Sequence, residues 1–456
     1  MNWWQQRLES WKQDRILRLV LKNTGYMFSG TGLSLVLSVV VSIFAARVLA
    51  VSALGLVGII TTYASTVNRL FSFRMSELVV KYMGGYLTEG RKDRAAAIVK
   101  ISLLTEGLTS LLAFICLLAL APLAARYLAK DETTTLLFGI YGISVLGNLV
   151  TETSTGILQV IHRFREQAAI NATQSILTAC VIFAALLFRG NPRLVLWDIL
   201  LGYLVGKMVL GIAPVVIALR SMDDTLGNEW WKTSFDLLPP FKELARFAVS
   251  TNLSATLNMV VRDSEILWIS FFLSPVEAGY YKVALAIINL VSIPITPFTS
   301  TTYPQIARYT AEKSWKKLRL LLWRVSLITT AITGSTILGL GLLGHFVLYF
   351  FYGPKYLPSY PILMILLVGY GIANILFWNR PLLLALDHPE SPFRIGFYTG
   401  LVKVVSSLWI IPAFGVAGAA CLLSGYLGVS VCLIVATGFM VLRRREKTAA
   451  MEIKPA

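Results

Sequence analysis

Apolar residues in this chain come in runs of about twenty, separated by short polar breaks, instead of alternating at the short periods of soluble elements. About 20 such residues in helical form cross a hydrocarbon core roughly 30 Å thick. That ruler predicts membrane-crossing helices over 25–46, 54–72, 97–122, 135–160, 168–188 and 196–219 in the first half, and over 244–270, 277–300, 320–346, 358–386, 394–412 and 415–441 in the second. The longest polar interruption, 220–243, falls midway and holds Asp223, Asp224, Glu229 and Lys232 beside Trp230 and Trp231. Tryptophans next to charges predict an amphipathic helix lying at the membrane interface, with a loose loop as the alternative. Residues 1–24 predict a second interfacial segment.

The two halves repeat. Arg47 to Leu56 joins the first two helices, and Phe271 to Tyr280 joins the seventh and eighth at an offset of 224 residues. An even number of helices per half makes the repeats parallel, related by an axis along the membrane normal. The expected organisation is all-α and polytopic, with about twelve transmembrane helices. It comprises a cytoplasmic amphipathic segment (1–24), an N-lobe (25–219), a linker (220–243), a C-lobe (244–441) and a basic tail (442–456).

Composition agrees with this pattern. Hydrophobic residues are 56% and charged residues 14% of the chain, against about 25% charged in an ordinary soluble domain. The net charge of +17 would suit nucleic acid if it formed a patch, but its distribution says otherwise. With the N-terminus inside, 28 of the 41 lysines and arginines fall on inner segments and 6 on outer ones. The positive-inside bias therefore places both termini in the cytoplasm and accounts for the charge without nucleic acid. The first apolar run leads straight into further ones, so it is read as a transmembrane helix and not a cleaved signal.

Cys116, Cys180, Cys421 and Cys432 lie inside apolar runs without paired spacing and are expected to be small buried hydrophobes. The three histidines are far apart, so no metal site or cofactor is expected. No catalytic motif and no large outer loop is visible, which argues against an enzyme. The chemistry must then lie in the intramembrane charges, which are costly enough in a bilayer that they usually face a partner or a wet cavity. Arg69, Lys207, Arg262, Lys282, Arg380 and Lys403 are the candidate substrate-binding cations. Glu106, Glu152 and Asp263 could pair with them or couple to protons. Asp198, near an outer end, is expected to be solvated. An excess of cations suits an anionic ligand such as a diphosphate. Asn171 and Gln174 are among the polar companions able to meet sugar hydroxyls or to bond between helices.

Several stretches resemble a known family. Asn23 to Tyr26 with Ala46 to Gly55, Val261 to Ala284, and Tyr303 to Arg308 are similar to polysaccharide flippases of the O-antigen and polysaccharide transporter type, within the multidrug/oligosaccharidyl-lipid/polysaccharide exporter superfamily. The resemblance implies two six-helix lobes around a central cavity in the cytoplasmic membrane. It also implies translocation of a polyprenyl-pyrophosphate-linked oligosaccharide by alternating access, with membrane lipids and glycan-assembly enzymes as partners. A drug or metabolite antiporter of the same superfamily is the alternative, and a membrane glycosyltransferase or ligase the second. Ala50 stands where many members carry glycine.

Overall fold

The computed structural model describes residues 15–71, 75–188 and 192–452. Among them helix is nearly continuous and no strand occurs, as the apolar runs require: a segment in hydrocarbon must satisfy its backbone internally. Among the described residues nine helical stretches are long and apolar enough to cross a membrane, and Gly32–Val48 adds a shorter apolar one. The last stretch, Glu390–Glu446, bends where Gly415 takes φ 62°, so it holds two helices and not one. That φ lies in the left-handed region where glycine carries no Cβ penalty.

The element order shows the repeat directly. The first copy runs α1 (Arg15–Val48), α2 (Val51–Phe71), α3 (Met75–Thr88), α4 (Lys92–Ala124), a π turn (Ala125–Ala129), a 3-10 turn (Glu132–Thr134), α5 (Thr135–Gly147), α6 (Thr151–Val160), α7 (Phe164–Phe188) and α8 (Pro192–Leu226). The second runs α9 (Phe241–Asn258), a π turn (Met259–Asp263), α10 (Glu265–Phe272), α11 (Pro275–Ser292), α12 (Thr296–Ala311), α13 (Trp315–Val347), a π turn (Leu348–Tyr352), a 3-10 turn (Pro354–Tyr356), α14 (Ser359–Ile375), α15 (Asn379–Ala385) and α16 (Glu390–Glu452). Both copies carry the same motif: a helix of 33 residues, a π turn, a 3-10 turn, a helix, a three-residue break and a short helix.

The chain packs as two compact units. One comprises residues up to Val41, Tyr63–Arg126 and Asp131–Thr256; the other comprises Ser42–Thr62, Tyr127–Lys130 and the remainder from Leu257. The first has a core in which Val79, Met83, Ile98, Ile157, Ala218 and Met222 interlock beneath Trp230 and Leu238. In the second, Ile306, Leu318, Leu322, Trp378, Leu382 and Leu442 form the corresponding core. The Trp378 indole N–H donates to Ser326 Oγ at 2.7 Å, so a large ring is buried without an orphaned donor. Elsewhere the helices present exposed leucines and phenylalanines, such as Leu342 and Phe346, the surface expected against lipid.

Several expectations need correction. The 220–243 segment is not one amphipathic helix: α8 continues to Leu226, and 3-10 turns follow at Trp230–Lys232 and Phe235–Leu237. Gly227 at φ 98° and the prolines 239 and 240 interrupt any longer helix there. The predicted 277–300 helix breaks at the short turn Ile293–Ile295 around Pro294. The 135–160, 244–270 and 358–386 runs are each interrupted as well, since apolarity fixes membrane residence but not helix continuity. Met75–Thr88 forms a further helix between the runs predicted at 54–72 and 97–122. Asp198 is buried, not solvated. Cys180, Cys421 and Cys432 are exposed on helix faces, not buried in the protein interior. Of the N-terminal interfacial segment, residues 1–14 lie outside the described residues, and from Arg15 the chain is continuous with α1.

Candidate functional site: cations and polar pockets within each unit

The charged candidates divide between the units. In the first, Arg69 sits in the last turn of α2 and Lys207 midway along α8, within electrostatic range of each other. No carboxylate is paired with Lys207 among the described residues. One turn earlier on α8, Tyr203 lines a cavity of about 350 Å³. Ser34 and Ser38 of α1 and Asn171, Gln174 and Thr178 of α7 complete its polar wall. Gly206 makes this possible: a Cβ there would meet Gln174 Nε2 at 3.0 Å and overlap the Thr178 hydroxyl, so α7 and α8 pack at glycine distance.

Glu106 and Glu152 take no part in that cluster. The Glu106 carboxylate is buried, with Oε1 accepting from Glu152 N–H and Oε2 from Thr153 N–H, each at 2.8 Å. It thereby closes the first turn of α6, where a helix restarts inside the membrane and its leading N–H groups need acceptors. Ser76 Oγ donates to Glu152 Oε2 at 2.5 Å and ties the same turn to α3.

In the second unit, Arg262 projects from the Met259–Asp263 π turn, and its guanidinium lies 5.1 Å from the centre of the Tyr370 ring. Cation–π contact of this kind helps hold the charge in place, and Asp263 lies within electrostatic range of it. Tyr426 lies within electrostatic range of both Arg262 and Arg380, and both arginines are exposed. The neighbouring Asp263 is also exposed. Lys403 stands apart from them. It is buried, donates to the Val261 carbonyl at 2.7 Å and forms an ion pair with buried Glu265. Lys403 and Tyr426 share the wall of a cavity of about 350 Å³ with Thr399 and Ser406 and with apolar side chains such as Val402, Leu422 and Val429. Lys282, on α11, is half-buried, its Cδ only 2.9 Å from where a Cβ on Gly58 would stand.

The structure thus puts Arg262 and Arg380 within electrostatic range of one tyrosine, Tyr426, and Arg69 within range of Lys207. It ties Lys403 to Glu265 and places Glu106 and Glu152 at a helix start. Sequence reasoning missed Tyr370, which seats Arg262, and Tyr426, which lies within range of both arginines. Their available signal was a tyrosine beside glycine within an apolar run, at Gly369–Gly371 and Gly425.

This arrangement offers fixed cations, aromatic faces and amide and hydroxyl groups. The chain is similar to the Inner membrane protein YghQ of Escherichia coli (strain K12), 22% identical over 78% of this chain and 99% of that protein. It is also similar to the Probable flippase AglR of Haloferax volcanii, 28% identical over 33% of this chain and 32% of that protein. Among solved structures it shares the fold of an inward-facing MATE family multidrug resistance transporter of the MOP superfamily (TM-score 0.69, 13% identity, 91% of this chain and 96% of that one). It shares it too with the lipid II flippase MurJ (TM-score 0.66, 14% identity, 93% of this chain and 90% of that one). Residues 20–310 match the model of the polysaccharide biosynthesis protein family, well over half the chain, and the chain belongs to that family.

Proposed function

We propose that this protein is a flippase that moves a polyprenyl-pyrophosphate-linked oligosaccharide across the cytoplasmic membrane for surface polysaccharide synthesis. The observation that carries the reading is a pair of exposed arginines, Arg262 seated on the Tyr370 ring and Arg380, both within electrostatic range of Tyr426, in a chain of this family. Two guanidinium groups suit a diphosphate, because each offers paired planar donors and stays charged at any physiological pH. Arg69 and Lys207 supply a second cationic position. The polar cavity of Ser34, Asn171, Gln174 and Tyr203 offers hydroxyl and amide groups to a glycan. Family membership and the flippase among its relatives support the substrate class. Both termini lie in the cytoplasm on this reading, the 25–219 and 244–441 lobes alternate access by rocking, and glycan-assembly enzymes supply the substrate.

The test replaces Arg262, Arg380, Arg69 and Lys207 by alanine, singly and in pairs, and measures surface glycan in a complementation strain. Loss of glycan in the Arg262→Ala/Arg380→Ala pair, with the protein still present in the membrane, is the expected result. Full glycan in every single and paired variant removes the electrostatic mechanism. Altered drug susceptibility of a deletion strain with normal glycan would point to an antiporter.

A further inference from the structure

A cavity of about 480 Å³ opens in the first unit between α3, α4, the 3-10 turn at Phe235 and α9. It is separate from the polar cavity and from every cation of the proposed flippase. Its size falls in the range of small-molecule sites, roughly 300–1,000 Å³. Met75, Leu78, Leu238 and Leu244 make its walls apolar. Two features distinguish it from a plain gap between helices. Ser102 lines it and is buried, and its hydroxyl has no hydrogen-bond partner among the described residues. Behind the Phe235 wall, the Lys100 ammonium sits 4.3 Å from the centre of the ring and donates to the Thr233 carbonyl at 3.0 Å. Lys100 thereby pins the linker turn that forms one wall and sets a positive charge beside it.

Lys100 lies beside the cavity through its contact with Phe235, and Ser102 and Thr105 of the same helix line it. A glycerolipid carries the matching groups: a charged headgroup, ester carbonyls and hydrocarbon. We infer that this cavity is a binding site for one anionic phospholipid, its phosphate at Lys100, an ester carbonyl accepting from Ser102 and one acyl chain along the apolar walls. Basic pockets between transmembrane helices on the cytoplasmic side are the usual place for such headgroups. The orphaned Ser102 hydroxyl is the sharper argument, because a buried donor without an acceptor carries a penalty that a bound carbonyl removes.

The full-length protein is purified in mild detergent, and lipid retention is measured by native mass spectrometry with phosphatidylglycerol and phosphatidylcholine of equal chain length. The wild type is expected to retain one phosphatidylglycerol about fivefold more strongly than phosphatidylcholine, the effect of one cation near a headgroup. Lys100→Gln abolishes that preference while keeping a lipid, and Ala248→Trp, which fills the cavity, abolishes retention. Ala245→Leu, a smaller filling, weakens retention if the tryptophan variant does not fold. Equal retention in wild type and filled variants overturns the proposal. So does equal affinity for the two headgroups in the wild type, or a retained mass that is a polyprenyl phosphate, which would belong to the substrate. Because none of these residues is a proposed flippase cation, the result stands whichever way the glycan assay falls.

Discussion

Gly55 and Gly279 occupy the same position in the two repeats, 224 residues apart, and each lies against the other's helix. A Cβ on Gly55 would overlap the Pro275 carbonyl oxygen and stand 2.9 Å from Gly279 N; a Cβ on Gly279 would overlap the Val51 carbonyl oxygen. Val51 and Pro275 are themselves repeat partners, each opening its helix, α2 and α11. The contact is thus reciprocal, as a local twofold axis demands.

Alanine at either glycine has nowhere to go, because the obstacle is backbone. Gly55→Ala and Gly279→Ala should each lower stability by about 1–3 kcal/mol. The double variant should cost less than the sum, since the first alanine already pries the helices apart. Thermal unfolding of purified protein measures both. Strict additivity would show that the two helices relax independently.

Basic side chains reinforce the same turns. Lys130 Nζ donates to the Phe271 carbonyl at 2.8 Å, and Lys355 Nζ to the carbonyls of Leu49 at 2.5 Å and Arg47 at 3.3 Å. Arg47 and Phe271 are repeat partners, so the two lysines do equivalent work. Lys130→Met and Lys355→Met should lower the unfolding temperature in the same direction, by an amount corresponding to about 1–3 kcal/mol each. A loss confined to one of them would break the equivalence.

Buried Lys403 and Glu265 call for a different experiment. Removing one partner strands a charge, so Lys403→Met or Glu265→Leu should each cost about 3–5 kcal/mol. The double variant should recover much of that, because burying an ion pair gains little over burying hydrocarbon of similar volume. Unfolding midpoints of the three variants decide the point, and a double variant no better than the singles would assign the pair a task beyond mutual neutralisation.

Glu106 should tolerate no neutral replacement well. Glu106→Ala removes the acceptor for two N–H groups at the start of α6, and Glu106→Gln keeps one oxygen but turns an N–H₂ toward a donor. Each should cost about 1–3 kcal/mol for the donor left unsatisfied, read as reduced thermal stability. The comparable position of the second repeat carries Thr329, whose hydroxyl donates to the Ile375 carbonyl at 3.1 Å, so the two breaks are secured by unlike chemistry.

One pH response lies outside the apolar spans. The Tyr82 hydroxyl donates to Glu243 Oε1 at 2.9 Å, and burial together with that carboxylate pushes its pKa up to about 12. A raised folded-state value means stability present below the ordinary value of 10.0 and lost as pH climbs through about 12. The unfolding midpoint of the wild type should therefore fall over that interval more steeply than that of Tyr82→Phe; superimposable curves would count against the coupling.

The sequence by itself determined that the chain is helical, membrane-embedded and internally repeated. Each of those follows from one-dimensional quantities: the length of apolar runs, and residues recurring at a fixed offset. Gly55 and Gly279 were visible as an aligned pair before any contact was known. Tertiary structure alone decided where the apolar runs break, because a break at 148–150 or 376–378 is held by partners distant in the chain, Glu106 and Thr329. It also decided which charges are spoken for. Lys403 and Arg262 look alike along the chain, yet one is held by Glu265 and the other rests on the Tyr370 ring. Periodicity says which solvent a side chain must live in; whether another charge waits beside it there depends on three-dimensional proximity, which a linear pattern does not encode.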